Sequence, residues 1–325
     1  MSRAGKSRAP ARHPVARRIL TRLGASLLVL WGAVTLAFAS LHLTPGGIED
    51  TLIGQSTVTP EVRAQIVADY GLDEPVHAQY LSYLGRVVQG DLGHSYQLHD
   101  SVASLISSQA VPSLQLTLTG LGLAAVIAIL LSLLTAKRSR LLRGVVSGLE
   151  LVGISVPVFW AGILLLTVFS FQLGWFPAAG GDGFAGLVLP AVAVAISVTA
   201  LLSQVMREGL ETVLEEPFVL TARARGLSDL AVRFRHALRH VLLPAVTLGG
   251  WLFGLVLGGL VTIEMIFSRQ GLGQLTLNAV TGKDLPVVMG VVVLTSGVHV
   301  LVNILLDLLY LVIDPRLRGA HEPGS

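Results

Sequence analysis

Six uncharged runs, each longer than 20 residues, constrain the fold of this 325-residue chain more than any other feature. An α-helix needs roughly 20 apolar residues to cross a hydrocarbon core of ~30 Å. Hydrophobic residues make up 52% of the chain and charged residues only 13%, which excludes an ordinary soluble domain. We therefore predict an all-α integral membrane protein with six transmembrane helices, over residues 21–43, 113–136, 148–173, 186–206, 242–264 and 286–313.

The distribution of lysine and arginine predicts which side of the membrane each segment faces. Nineteen of the 23 basic residues lie near the two termini, in the link 137–143 and in the insert 207–239. By the positive-inside rule, these regions are cytoplasmic. The basic pI of about 9.5 then reflects topology, so membrane lipid is an expected partner and nucleic acid is not. The predicted divisions are a basic cytoplasmic tail 1–18, a six-span domain 19–318 that includes an outer segment 44–112 and a cytoplasmic loop 207–241, and a cytoplasmic tail 319–325.

A charged, helix-prone stretch, PFVLTARARGLSDLAVRFRHALRHVLLP, occupies residues 217–244. Pro217 suits the first position of a helix, and Gly226 suits a left-handed cap at its end. Asp229 follows a serine and suits the first turn of a second helix, whose dipole favours an acid there. We therefore predict two short helices joined by a hinge, the first over 217–225, which either anchor the loop at the membrane or dock to a partner.

The outer segment 44–112 is longer than a connection between two spans requires, so it is expected to have structure of its own. Residues 59–61, Thr-Pro-Glu, indicate a helix start, and a second helix is predicted from Val76 to Val88. The Gly-Asp-Leu-Gly sequence at 90–93 indicates a turn. The segment is either a cap over the helix bundle or a platform for an external partner.

Small residues and proline inside the spans predict close packing and one bend. Pro157 is expected to kink the third span, either as a purely structural bend or as part of a translocation pathway. Gly250, Gly254 and Gly258 share one helix face, where another helix of this chain or of a second subunit can approach closely.

Polar residues inside the spans give further candidates. His299, Asn303 and Asp307 recur at a spacing of four and share one helix face, which indicates either a pathway or residues that reach the membrane interface. Glu150 and Glu264 lie near the predicted ends of their spans, so we expect an interfacial role for both.

No motif for catalysis is present in the sequence. There is no complete phosphate-binding P-loop, no metalloprotease His-Glu motif inside a span and no nucleophile elbow. The chain contains no cysteine and its histidines are dispersed, so neither a disulfide framework nor a thiolate metal site is expected. We therefore predict no catalytic residue, cofactor or metal on this chain, and energy for any transport must come from an ion gradient or a partner.

The stretch 221–244 resembles the cytoplasmic loop of binding-protein-dependent ABC importer permeases, specifically the dipeptide, oligopeptide and nickel branch. Further blocks resemble the same family in the same order across about residues 17–318. They are Leu41-His42-Leu43-Thr44-Pro45-Gly46, Tyr70-Gly71-Leu72-Asp73-Glu74-Pro75, Gly90-Asp91-Leu92-Gly93-His94-Ser95, Gly174-Trp175-Phe176-Pro177, Gly271-Leu272-Gly273, Asp307-Leu308-Leu309-Tyr310 and Asp314-Pro315-Arg316.

This resemblance implies an importer-type permease fold and a set of partners. The partners would be a second homologous permease subunit, two ABC ATPase subunits that hold ATP and Mg, and an extracytoplasmic substrate-binding protein. The resemblance also implies that a short cytoplasmic coupling helix docks on the ATPase. The residues carried over to that role are Thr221, Ala222, Arg223, Ala224, Arg225, Gly226, Leu227 and Ser228.

Taken together, these features predict a multi-pass permease subunit of the bacterial-type cytoplasmic membrane that forms half of the path of an ATP-driven peptide importer. The main alternative substrate within the same branch is nickel. An ion-gradient-driven secondary transporter is the alternative from another class, but paired ionisable groups at mid-membrane and broken-helix repeats are not evident in the sequence. A membrane-embedded hydrolase lacks any supporting motif.

Overall fold

The computed structural model describes residues 14–43, 73–180 and 183–313, and these are almost entirely helical. The predicted helix start at 59–61, residues 1–13 of the predicted amino-terminal tail and the predicted carboxyl-terminal tail 319–325 lie outside the described residues. Residues 14–18 of the predicted tail belong to the first helix. The helices are α1 (Pro14–Leu43), α2 (Val76–Val88), α3 (Val102–Thr135), α4 (Arg140–Ser155), α5 (Val158–Leu165, continued by a π-helical stretch Leu166–Gln172), α6 (Ala185–Val213), α7 (Pro217–Ala224), α8 (Asp229–Ile266), α9 (Leu272–Thr281) and α10 (Leu285–Ile313).

Four helices in the described part of the chain are long and apolar enough to cross a membrane: α3, α6, α8 and α10. The pair α4 and α5 adds a fifth span if a bent pair counts as one. The apolar part of α1, Gly24–Ser40, is shorter than these. The prediction of an all-helical membrane protein with several spans is therefore confirmed within the described residues.

The helix predicted over 148–173 differs most from expectation. It begins earlier, at Arg140, where the Ser139 hydroxyl accepts a hydrogen bond from the Leu142 amide. The chain then bends by 101° between α4 and α5. Pro157 explains the break, because it lacks an N–H and disfavours helical geometry at the preceding residue, Val156, whose ψ is 119°. The expected kink is present, and it is sharp enough to separate two helices.

Helix α6 lies at the centre of the bundle and packs against α3, α4, α5 and α8. Small residues allow this close packing. A Cβ on Gly120 of α3 would lie 2.8 Å from Val194 Cγ1, and one on Gly153 of α4 would lie 2.9 Å from Ala200 Cβ. Backbones can approach this closely only where a side chain is missing or very small.

The glycine face of α8 is used in part by this chain. A side chain at Gly250 would overlap Leu306, and one at Gly254 would overlap His299, so both glycines admit α10. Gly258 has open space around its Cβ position. Of the two partners considered for this face, α10 of the same chain is therefore the one that meets Gly250 and Gly254.

The predicted outer helix Val76–Val88 is confirmed with the expected bounds. Its Tyr83 packs with Val34 and Phe38 of α1 and with Leu285 and Met289 of α10. This satellite core ties α2 to the first and last helices of the described chain.

The carboxylate of Asp284, directly before α10, fastens the turn that follows α2. Asp284 is buried and accepts hydrogen bonds from the Ser95 hydroxyl, the Tyr96 amide at 3.1 Å and the Gln97 amide at 3.3 Å. A buried carboxylate needs such donors to offset its lost hydration. The block Gly90–Ser95 thus ends in a residue that binds the start of α10.

Candidate functional site

Helix α7 is the short helix predicted in the cytoplasmic loop, and its two ends have the predicted signals. Pro217 takes the first helical position, after Glu216 in extended geometry. The helix ends at Ala224, one residue before the predicted end. Gly226 follows with a φ of +82°, in the left-handed region that favours glycine. The Gly226 amide donates to Arg223 O at 2.9 Å and the Leu227 amide to Ala222 O at 3.4 Å, which is the hydrogen-bond pattern of a Schellman cap.

The second predicted short helix is the first turn of a much longer one. Ser228 caps it, accepting from the Ala231 amide at 3.3 Å, as the sequence predicted. The helix then continues through a π-helical turn at Arg233–Ala237 to Ile266. Because α6 also extends to Val213, only residues 214–228 separate the two long helices. The prediction of a separate second short helix was wrong. Buried residues at a spacing of four, among them Ala237, Val241 and Ala245, explain why α8 continues.

The eight residues proposed for coupling do not share one face. Ala222 is buried together with Val219 in the main core, so it cannot touch a partner directly. Leu227 is partly buried against that core, and Ser228 is used as the helix cap. Arg223 is exposed but is bonded to Asp229. The name α7 surface is used below for four other exposed residues of this stretch: Leu220, Thr221, Ala224 and Arg225.

Asp229 connects α7 to α8. Its carboxylate accepts from Arg223 Nη2 of α7 at 2.9 Å and from Arg233 Nε at 2.7 Å, and Arg138 Nη2 lies 3.9 Å away. Arg233 is buried, and its Nη1 donates to Leu133 O at 3.0 Å and to Ala136 O, just beyond α3, at 2.5 Å. The last carbonyls of a helix lack partners within it and attract a cation. A single network of charges therefore joins α7, α8 and the end of α3.

A second, exposed set of ion pairs joins α3 and α4 to the end of α6. Lys137 Nζ lies 2.9 Å from Glu215 Oε1, and Arg143 Nη2 lies 3.1 Å from Glu211 Oε1. The hydrogen bond from Lys137 holds the pKa of the Glu215 carboxyl below its ordinary value. Exposed pairs of this kind contribute little stability individually, so their main effect is to orient the helix ends.

Glu150 and Glu264, for which an interfacial role is expected, have carboxylates that are buried and bonded within the chain. Glu150 pairs with Arg207 at 2.6 Å and accepts from the Ser203 hydroxyl at 2.8 Å. Glu264 accepts from the Ser113 hydroxyl at 2.5 Å. The serine partners, Ser113 and Ser203, could not be identified from the sequence, because a serine in an uncharged run gives no indication of which residue it will bond.

The glycines of the Gly271-Leu272-Gly273 block make room for Glu264. A side chain at Gly271 would overlap the Glu264 carboxylate, and one at Gly273 would lie 2.6 Å from the Val261 backbone. The Gln274 amide, in the first turn of α9, donates to Glu264 Oε2 at 3.0 Å. The two glycines therefore leave the space in which the backbone holds the buried Glu264 carboxylate. The Gly-Leu-Gly sequence is the signal from which the Glu264 site could have been predicted.

The three pathway candidates lie on two separate features. Pro157 lies at the bend between α4 and α5, in an open groove of about 480 Å³. His299 and Asn303 are exposed on α10, one turn apart, with His299 next to Gly254 of α8. The side chain of Asp307 lies outside the described residues. Among the described residues no group of three histidine or acidic side chains could hold a metal ion.

A family model supplies the observation that decides the class of this protein. Residues 113–319 match the binding-protein-dependent transport system inner membrane component. The chain belongs to this family. The match includes α7, the Asp229 network and the Glu264 site, and it identifies this family member as a multi-pass membrane component of a transport system and not an enzyme.

Individual relatives are similar to this chain over almost its whole length. It is 39% identical over 315 residues to a protein of Brucella suis biovar 1 (strain 1330) named as a peptide permease, with 93% of this chain and 99% of that one covered. It is 35% identical over 305 residues to the glutathione transport system permease protein of Salmonella choleraesuis (strain SC-B67), covering 92% and 98%. A di/tripeptide transport system permease protein of Pseudomonas aeruginosa (strain UCBPP-PA14) is 33% identical over 329 residues, covering 92% and 98%.

Solved structures support the permease fold. An inward-facing methionine ABC transporter chain superposes with a TM-score of 0.54 at 18% identity, covering 65% of this chain and 96% of that one. A chain of an amino acid ABC transporter gives 0.50 at 16% identity, covering 64% and 93%. At these identities the likeness concerns the fold alone.

Proposed function

We propose that this chain is the permease subunit that forms half of the translocation path of an ATP-driven peptide importer. The observation that carries the proposal is the identity of 33–39% to transport permeases, named for peptides, glutathione or di- and tripeptides, over at least 92% of the chain. A chain with no catalytic motif of its own would receive energy from two ATPase subunits that bind ATP and Mg. A second homologous permease and an extracytoplasmic binding protein complete the proposed assembly.

The proposed topology has six spans with both termini in the cytoplasm. It takes α1 as the first span and the bent pair of α4 and α5 as the third. The basic ends of the long helices support this orientation, because lysine and arginine concentrate on the α7 side. Within this topology, α7 is the cytoplasmic coupling helix.

Coupling is proposed to act through the α7 surface. Leu220 is 73% exposed and gives the surface an apolar contact, while Arg225 gives it an exposed charge. Val219 and Ala222 anchor the opposite face in the core. A partner that moves the α7 surface therefore moves the helix as a body, together with the core residues beneath it.

ATP-dependent uptake of a labelled tetrapeptide tests the function, in vesicles containing this chain and the proteins that co-purify with it. We expect uptake that requires ATP and a co-purified ATPase. Uptake of nickel instead of the peptide would change the proposed substrate to nickel, within the same branch of the family. Uptake that ignores ATP and collapses with the ion gradient would refute the proposal in favour of a secondary transporter.

Charge reversal on the α7 surface tests the coupling site. Arg225→Glu should lower ATP-dependent uptake and binding of the ATPase by about tenfold, the effect of losing one charge-assisted contact. Arg140→Glu is the matched control, because Arg140 is an exposed arginine on the same side, at the start of α4. Equal effects of the two substitutions would contradict a specific role for α7.

A further inference from the structure

A cavity of about 400 Å³, called the α3–α4–α6 cavity below, lies between these three helices. Helix α6 lines it from Val192 to Ser203, so its wall along that helix is about 16 Å long at ~1.5 Å per residue. Two of its lining residues, Ile127 of α3 and Leu149 of α4, are 36% and 65% exposed and form its rim. The opening is therefore apolar, as is typical of a surface that faces the acyl chains of a bilayer.

Three polar residues line one part of this cavity: Glu150, Thr199 and Ser203. Ser203 donates to Glu150 Oε1 at 2.8 Å, and Arg207 Nη2 lies 2.6 Å from Glu150 Oε2. Thr199 Oγ1 and Arg207 Nη1 are buried and have no hydrogen-bond partner among the described residues. These two residues are only 8% and 6% exposed. Because buried polar groups are normally paired, two unpartnered donors beside one cavity indicate a ligand that accepts from them.

Thr199 differs from several other threonines of the helices. Thr117, Thr135 and Thr212 each donate to the carbonyl four residues earlier, at 2.9, 2.6 and 3.1 Å. This bond is a usual way to satisfy a threonine hydroxyl inside a helix. Thr199 does not make the corresponding bond to Ala195 O. Since threonine has two accessible χ1 rotamers in a helix, its hydroxyl can turn to donate to a group in the cavity.

The lining favours a long apolar ligand with a hydrogen-bond acceptor at one end. Apart from the three polar residues, all lining residues are aliphatic or glycine. A peptide has an N–H and a C=O at every residue, and such walls could not pair them, which excludes a transported peptide from this cavity. An acyl chain has no polar group until its ester carbonyl, which is an acceptor. Ser203 is the last lining residue before α6 runs on to Val213, so the polar part of the cavity lies toward the α7 side of the bundle.

We propose that the α3–α4–α6 cavity binds one acyl chain of a membrane phospholipid, and that Thr199 donates a hydrogen bond to the ester carbonyl of that chain. The chain then lies along α6 from Thr199 toward Val192. The glycerol end of the lipid lies toward Arg207, one helical turn beyond Ser203. This lipid site goes beyond the proposed transport function and does not depend on it, because it requires only that the helices lie in a bilayer.

A photoreactive lipid tests the site. The full chain is reconstituted in vesicles of equal parts phosphatidylethanolamine and phosphatidylglycerol, with a trace of diester phosphatidylethanolamine that carries a diazirine on one acyl chain. Mass spectrometry then maps the labelled residues. We expect Leu123 and Ile196, which line the cavity, to be labelled more strongly than Leu118. Leu118 is 55% exposed on α3 outside the cavity, so it reports ordinary contact with lipid.

Thr199→Val keeps the branched side chain and removes its hydroxyl. It should lower the labelling of Leu123 and Ile196 about fivefold, the effect of losing one hydrogen bond, and leave the labelling of Leu118 unchanged. Thr117→Val is the matched control, because it removes a buried hydroxyl that is bonded within its own helix and does not line the cavity. This control should leave the labelling of the cavity unchanged.

The unlabelled lipid of the vesicle tests the ester carbonyl. Diether analogues lack this acceptor, so they should compete less well with the diester probe. Replacing the unlabelled lipids by diether analogues should therefore raise labelling of the cavity by up to about fivefold. In Thr199→Val the same replacement should have no effect, whereas a purely structural role for Thr199 would leave the two proteins alike. If Thr199→Val fails to insert, the diether comparison on the unsubstituted chain decides the matter.

Two results would overturn the lipid site. One is labelling of Leu123 and Ile196 that does not exceed that of Leu118, or that is the same in Thr199→Val. The other is a protein occupant of the cavity. Because the chain contains no cysteine, Ile127→Cys gives a single thiol at the rim, and an efficient crosslink from it to a second copy of the chain would show that a helix covers the cavity. Neither readout requires transport, so a failure of peptide uptake would leave the lipid result standing.

Discussion

Replacing Gly226 by alanine tests whether the turn after α7 must be left-handed for coupling. Gly226 has a φ of +82°, and nothing lies within 4 Å of its Cβ position. An added methyl group therefore meets no neighbour. The whole effect of the substitution comes from the backbone conformation, which separates it from overpacking.

The expected magnitude follows from that geometry. A left-handed conformation costs a residue with a Cβ roughly 1–2 kcal/mol relative to glycine. A cost of that size lowers the ratio of the native turn to other conformations by a factor of about 5 to 30. Because the turn also holds the Leu227 amide near Ala222 O, the end of α7 should loosen before the long helices do.

ATP-dependent uptake and ATP hydrolysis, measured on the same vesicles, provide the assay. Gly226→Ala should lower uptake per ATP hydrolysed, by at most that factor of about 5 to 30, while membrane insertion is unchanged. Gly226→Asn is the matched control, since asparagine tolerates the left-handed region and should retain more activity. Equal and full coupling in both variants would refute the requirement for the turn.

The remaining predictions concern the buried carboxylates. Glu150→Gln leaves the Arg207 cation buried without its partner, and should destabilise the protein by about 3–5 kcal/mol. The thermal unfolding temperature in detergent measures this loss of stability and should fall. Adding Arg207→Met to the Glu150→Gln variant should recover stability. Asp284→Ala removes the acceptor for three donors in residues 95–97, and should lower the stability of that turn by about 1–3 kcal/mol. We expect faster proteolysis of the turn while the rest of the chain stays intact. An unchanged cleavage rate would contradict this prediction.

Local signals predicted the parts of the fold that depend on neighbouring residues. The bounds of α2, the start of α7 at Pro217 and the turn at Gly226 all follow from residues within a few positions of one another. The same local signals misled at the second helix of the loop. A helix start was visible at Ser228, but the tertiary packing that extends the helix to Ile266 was not.

The resemblance predicted where the candidate coupling helix lies in the sequence. It did not predict which face of that helix is buried and which is exposed. Sequence alone could not show that Ala222 points into the core while Arg225 points outward, because an eight-residue helix with mixed polarity has no clear apolar stripe. The core cluster that includes Val219 and Ala222 decides which face of α7 is buried.

The sequence by itself determined that this chain is a helical membrane protein, because long uncharged runs can satisfy their backbone groups in a bilayer only as helices. It also marked α7 by its proline and glycine. Only the tertiary structure decided the polar connections, such as Ser113 to Glu264 across 151 residues and Arg233 to Ala136 across 97. Partners so far apart are chosen by how the helices pack, and no local propensity encodes them.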